Sequence, residues 1–207
     1  MKIGVIGFQG DVEEHLGILK RIGEESGNVE PLRVKNRDQL KDVSGIILPG
    51  GESTTIFKLI KEYGIYEDII NMVRNGTPLM GTCAGIILSA ARTNDARVDG
   101  MGLLDIEIER NGYGRQAQSF IDDVEIKGIG NYMAVFIRAP IIKSVNHGEI
   151  LAYHDGKPIM VRDGNVLGLT FHPELTDDTR IHEYFIGMIG GEGGVSTGTN
   201  GEGVIVK

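Results

Sequence analysis

The feature that most restricts this chain is Gly81-Thr82-Cys83-Ala84-Gly85, where the single cysteine has a glycine two residues away on either side. The apolar run from Thr77 to Thr82 reads as a buried strand, and Ile86 to Ala91 reads as a helix. A side chain presented between a strand and a helix sits on a sharp turn, which leaves no room for side chains at the flanking positions. Gly-x-Cys-x-Gly therefore has the form of a nucleophile elbow, with sulfur in place of oxygen. The start of the helix adds free N–H groups and positive partial charge, both suited to a reactive sulfur. The competing reading is a small cysteine buried for packing, and the elbow alone does not separate the two.

At 207 residues the chain has the size of one domain and can bury a sizeable core. Residues 1–189 are expected to form that domain. Residues 190–207 carry seven glycines and no apolar period, which predicts a flexible tail of no assigned role. A hydrophobic fraction of 41% and a charged fraction of 24% are ordinary for a soluble globular protein. The net charge of −8 argues against nucleic acid or an anionic membrane as partner. No apolar run approaches the ~20 residues of a spanning helix. Met1-Lys2-Ile3-Gly4 leads directly into a strand, without the layout of a signal peptide. One cysteine permits no internal disulfide and excludes Cys-cluster zinc sites. The expectation is a cytoplasmic protein that needs no metal and no cofactor.

Lys2 to Phe8, Val29 to Val34 and Gly45 to Leu48 read as strands, with Pro31 placing the second near an edge. Asp11 and Glu14 are spaced for a capping box on a helix whose apolar face is Val12, Leu16, Leu19 and Ile22. Ser53 is placed to cap a helix through Phe57, Leu59 and Ile60, and Ile65 to Val73 reads as another. Strands alternating with helices predict an α/β fold: an open, mainly parallel, flavodoxin-like sheet with helices on both faces. Short strand-like runs follow at Gly102–Glu109, Phe120–Lys127, Asn131–Ile137, Glu149–Tyr153, Lys157–Val161 and Asn165–Thr170. They are read as antiparallel hairpins added to that sheet.

Gly50-Gly51 follows the third strand at its carboxyl end, where open α/β sheets bind ligands; an ordinary turn is the alternative. No Gly-Lys-[Ser/Thr] follows, so a phosphate loop is a poor match. Arg110 and Arg115 in one loop and Arg138 in another together suggest carboxylate recognition, although each alone reads first as a solvated arginine. In Phe171-His172-Pro173-Glu174-Leu175, extended backbone would put His172 and Glu174 on one face, where the carboxylate can fix the imidazole tautomer. His15, His147, His154 and His182 show no such companion and read as surface or packing residues. The last helix is expected from Thr176, with Ile181, Phe185, Met188 and Ile189 inward.

The elbow with Phe171-His-Pro-Glu174 resembles the class I glutamine amidotransferases. Gln9-Gly-Asp11, Glu14-His15, Leu48-Pro-Gly-Gly-Glu-Ser-Thr-Thr55, Arg110-Asn111-x-Tyr113-Gly-Arg-Gln116 and Phe136-Ile-Arg-Ala-Pro140 narrow this resemblance. They are similar to the glutaminase-subunit branch of pyridoxal 5′-phosphate synthases. The blocks run from residue 9 to 175; Tyr113 departs from a usual Phe, and the Gly-rich tail is not a family feature. The resemblance implies Cys83 as nucleophile on L-glutamine, His172 as base and acid, and Glu174 as the group orienting it. It implies an oxyanion hole from Gly51 and Ala84, and substrate contacts from Gly51, Glu52, Ser53, Arg110, Ile137 and Arg138. It further implies a (β/α)₈-barrel synthase subunit as partner, in a large hetero-oligomer, receiving ammonia through a tunnel. Docking would flip the Gly50-Gly51 peptide into its oxyanion-binding orientation and raise a weak basal glutaminase.

The alternatives are a glutaminase subunit serving histidine or purine synthesis, a cysteine peptidase or γ-glutamyl hydrolase, and a silent regulatory scaffold. Redox sensing by Cys83 is the last, and the chain holds no resolving cysteine.

Overall fold

The computed structural model describes residues 1–110 and 119–191. In chain order its elements begin β1 (Lys2–Ile6), α1 (Val12–Ser26), β2 (Glu30–Val34), α2 (Arg37–Lys41) and β3 (Gly45–Leu48). Next come α3 (Ser53–Glu62), α4 (Tyr66–Arg74), β4 (Leu79–Thr82), α5 (Ala84–Ser89), β5 (Ala90–Thr93) and β6 (Leu104–Glu109). The remainder is β7 (Ser119–Ile126), β8 (Gly130–Ile137), β9 (Ile141–Val145), β10 (Glu149–His154), β11 (Lys157–Asp163), β12 (Val166–Leu169) and α6 (Arg180–Ile189).

A 9-stranded sheet runs in the order β2-β1-β3-β4-β12-β11-β10-β7-β8. Its first five strands pair in parallel, and the rest add antiparallel. The parallel half has the doubly wound, flavodoxin-like order, with β2 and its Pro31 at the edge as the sequence predicts. Side chains alternate between two cores because successive strand residues face opposite ways. Leu19, Ile181 and Phe185 of α1 and α6 pack over Ile3, Val5, Ile47 and Met80 on one face. Ile56, Ile60, Ile69, Ile86 and Leu88 of α3, α4 and α5 pack over Ile46, Leu48 and Leu79 on the other.

Several expectations are corrected. The hairpins β7–β8 and β10–β11 do extend the main sheet, but β5, β6 and β9 form a second, three-stranded sheet in which β5 and β6 are parallel. The elbow helix ends at Ser89 because Ala90 turns extended at φ −65, ψ 154. Helix α6 starts at Arg180, not Thr176, since Thr176 Oγ1 is engaged by Tyr132 Oη at 3.0 Å and the Pro173 carbonyl at 3.2 Å. Asp11 stands at the start of α1 without a side-chain cap, and Ser53 lies inside α3 behind Glu52. Among the described residues no helix is long and apolar enough to cross a membrane. The loop expected at Asn111–Gln116, with Tyr113 and Arg115, lies outside the described residues. So does the Gly-rich segment from residue 192 onward.

Candidate active site

Cys83 sits between β4 and α5 with φ 46 and ψ −96, a positive-φ conformation that a non-glycine residue rarely adopts. The surrounding packing enforces it. A Cβ on Gly81 would come within 2.7 Å of the Gly85 carbonyl carbon, and one on Gly85 within 2.0 Å of the Leu48 oxygen. The Cys83 N–H donates to the Leu169 carbonyl in β12 at 2.9 Å, tying the turn to the neighbouring strand. The thiol lies 3.8 Å from the Ile137 carbonyl and is buried at 7% exposure. Ala84 is the first residue of α5, so its N–H has no intrahelical acceptor.

The chain leaving β12 delivers His172, whose N–H donates to the Val135 carbonyl of β8 at 2.8 Å. Its Nδ1 lies 2.7 Å from Glu174 Oε1 and 3.3 Å from Asp11 Oδ2. Two carboxylates at Nδ1 assign the proton there, and Nε2 makes no hydrogen bond, which leaves it for the sulfur. Burial opposes the imidazolium, yet Asp11, Cys83 and Glu174 outweigh it and raise the His172 pKa well above the ordinary value. Burial raises the Glu174 carboxyl against the pull of His172. The route to this contact is not the extended one the sequence suggests. Pro173–Leu175 is a 3₁₀ turn that curls Glu174 back under the ring.

The loop after β3 closes the site. A Cβ on Gly50 would sit 2.5 Å from His172 Cε1, and Gly51 has φ 142, open only to glycine. The Glu52 N–H donates to Gln9 Oε1 at 2.9 Å, and the Asp11 N–H to the Gly50 carbonyl at 3.2 Å. Arg110 is held by the Asp95 carboxylate at 2.6 Å and by the carboxylate of Glu52. Ser53 is buried with its Oγ unpartnered, and Arg138, at φ 44, directly follows Ile137. The structure thus brings Cys83, His172 and Glu174 together, borders them with Gly50 and Ile137, and joins Glu52 to Arg110, while Gly51 packs on Gln9 and Gly10. Among the described residues, the donor atoms of Asp11, His172 and Glu174 lie within 4.8 Å of one another, the spacing of a metal group. Here both carboxylates converge on the same ring nitrogen.

The model of the SNO glutamine amidotransferase family matches residues 5–190. The chain belongs to this family. It is 56% identical over 199 residues to a pyridoxal 5′-phosphate synthase subunit PdxT of Thermoplasma volcanium, covering 96% of this chain and 100% of the relative. The same-named protein of Thermotoga maritima strain MSB8 is 49% identical over 192 residues, covering 91% and 100%. A crystal structure of a glutamine amidotransferase superposes with a TM-score of 0.85 at 42% identity, over 91% of this chain and 98% of that one. PurLQS from Thermotoga maritima shares the fold, at TM-score 0.60 and 20% identity over 93% and 96%.

In this glutamine amidotransferase two further side chains stand beside Cys83, His172 and Glu174. Asp11 has the spacing of a helix cap, but its carboxylate turns to His172 instead. His15, which shows no companion in the sequence, is fully buried, with Nε2 3.5 Å from Glu174 Oε2 and Nδ1 2.9 Å from His182 Nε2. The signal for His15 was its place on the apolar stripe of α1, between Val12 and Leu19. His147 and His154 also have carboxylate companions, Asp163 at 3.0 Å and Asp122 at 2.9 Å.

Proposed function

We propose that this chain is the glutaminase subunit of a pyridoxal 5′-phosphate synthase, hydrolysing L-glutamine to glutamate and ammonia for a partner synthase subunit. The observation that carries the reading is the 2.7 Å contact from His172 Nδ1 to Glu174, with the same ring interacting with the strained Cys83. Relatives 49–56% identical that bear the name of a synthase subunit support the partner and the product.

Cys83 Sγ attacks the side-chain carboxamide carbon of glutamine as the anion, its proton held on His172 Nε2. The oxygen of the tetrahedral intermediate is bound by the N–H groups of Ala84 and Gly51, each such donor worth ~10²–10³ in rate. As the C–N bond breaks, His172 returns its proton to the departing ammonia. It then takes a proton from water, which attacks the thioester carbonyl and releases glutamate with the thiol restored. Glu174 keeps the ring in the tautomer these transfers need. Gly51, Glu52, Ser53, Arg110, Ile137 and Arg138 are assigned to glutamine binding, with the arginines suited to its carboxylate.

The partner is a (β/α)₈-barrel synthase subunit in a large hetero-oligomer, and the ammonia passes to it through a tunnel. Docking is proposed to turn the Gly50-Gly51 peptide toward the oxyanion. Support comes from the positive φ of Gly51 and from the single 3.2 Å bond that Asp11 N–H makes to the Gly50 carbonyl. The test is ammonia release from glutamine with and without the synthase subunit, for the native chain and Cys83→Ser. Stimulation by the subunit and loss in Cys83→Ser are expected; an isolated chain as fast as the complex would remove the docking switch.

A further inference from the structure

On the side of Glu174 away from His172 lies an imidazole that the proposed mechanism does not use. His15, from α1, is fully buried, with Nε2 3.5 Å from Glu174 Oε2 and 3.2 Å from Thr82 Oγ1. Its Nδ1 lies 2.9 Å from Nε2 of His182 on α6, which is also fully buried. The Glu174 carboxylate spends Oε1 on His172, whereas buried Oε2 makes no hydrogen bond and has His15 Nε2 standing 3.5 Å away. A row of polar groups therefore runs from the nucleophile into the space between α1 and α6: Cys83, His172, Glu174, His15, His182.

Burial, with the neighbouring histidines, holds His15 neutral, and burial does the same for His182, so each ring carries one proton. That leaves two arrangements. If His15 carries its proton on Nδ1, its Nε2 lone pair faces the Glu174 oxygen, and an N–H of His182 at Nδ1 stays buried without an acceptor. If His15 carries it on Nε2, that N–H reaches Thr82 Oγ1 at 3.2 Å and stands 3.5 Å from Glu174 Oε2, while His182 Nε2–H donates to His15 Nδ1. The second arrangement leaves only an unpartnered acceptor, His182 Nδ1.

We propose that His15 is a positioning residue for the glutaminase reaction. Its Nε2–H, fixed by His182, secures the second oxygen of Glu174 so that the first stays aimed at His172 Nδ1. The inference rests on Cys83, His172 and Glu174 being the reacting trio. Holding the thiol proton, His172 is a cation, and the anion beside it must not rotate away or lose its donors. A contact of 3.5 Å is long for a hydrogen bond, as catalytic contacts often are before substrate binds. Thr82, which shares the same N–H, precedes Cys83 directly, so the array also meets the elbow.

The test uses the complex with the synthase subunit and glutamine-dependent ammonia release, comparing His15→Phe, His15→Gln and Cys83→Ala, with each thermal midpoint measured. A lost hydrogen bond to a charged group predicts a kcat about tenfold or more lower in His15→Phe, with KM within about twofold. Gln places an N–H near the Nε2 position, so His15→Gln recovers most of kcat whatever its thermal midpoint. Native kcat in His15→Phe, or equal loss in both His15 variants, overturns the proposal. An active Cys83→Ala would instead sink the trio itself. Nitrogen-15 histidine NMR of the native protein needs no variant: a proton on His15 Nε2 supports the proposal, and one on Nδ1 overturns it.

Discussion

Gly50 lies face to face with the His172 imidazole: a Cβ there would come within 2.5 Å of Cε1 and 2.9 Å of Nδ1. The same Cβ would sit 2.5 Å from Asp11 Oδ2, so the loop after β3, the start of α1 and the chain after β12 meet with no spare volume. The glycine thus answers to the position of the imidazole, as well as to the freedom of a peptide.

Gly50→Ala is expected to push the ring out of line with Cys83. A misplacement of about 1 Å costs on the order of 10²-fold in rate. Ammonia release by the complex should fall by at least that factor while the complex still assembles. A Gly50→Ala enzyme of native kcat would show that the imidazole has room to move.

Glu174→Gln keeps the shape of the side chain but loses the anion that fixes the His172 tautomer. The analogous acid-to-amide change in a serine protease triad, described for another protein, costs ~10⁴ in kcat. A loss of about 10³–10⁴ in kcat is expected here, read from glutamine titrations of the complex. A loss below about tenfold would remove Glu174 from the role assigned to it.

His182 should show in the pH dependence of stability. Burial lowers its folded pKa from 6.5 to about 3. Its contribution is therefore full above 6.5 and is lost as pH falls toward about 3. One such group gives a slope of about 1.4 kcal/mol per pH unit in that window. Denaturant unfolding of native chain and His182→Phe between these limits should show the variant's slope shallower by about that amount. Equal slopes would mean that His182 is protonated in the folded state.

Arg110 is clamped between Asp95 and Glu52, the latter in the loop that follows β3. Arg110→Lys cannot reproduce a two-pronged contact. KM for glutamine should rise by about tenfold, or about 1.4 kcal/mol, with a smaller change in kcat. An unchanged KM would place the substrate carboxylate elsewhere.

The parallel half of the sheet was legible because buried parallel strands are continuous apolar runs, as in Ile46-Ile47-Leu48 and Leu79-Met80. The elbow was legible because Gly81 and Gly85 answer to sterics that no other residue satisfies. What escaped depended on tertiary neighbours. Ala90 and Ala91 have helical propensity, yet pairing of Ala90 with Leu104 draws them into β5. Asp11 has the local pattern of a cap, and only the folded chain brings the His172 ring to it. His15 has helical spacing with apolar residues, and nothing local reveals the carboxylate waiting across the core.

The central claim is that Cys83 carries the γ-glutamyl group. Rapid acid quenching of the complex during turnover with glutamine, followed by mass spectrometry of the peptide containing Cys83, tests it directly. A γ-glutamyl adduct on that cysteine is expected in the native enzyme, and neither adduct nor ammonia from Cys83→Ala. Ammonia release at the native rate by Cys83→Ala would contradict it.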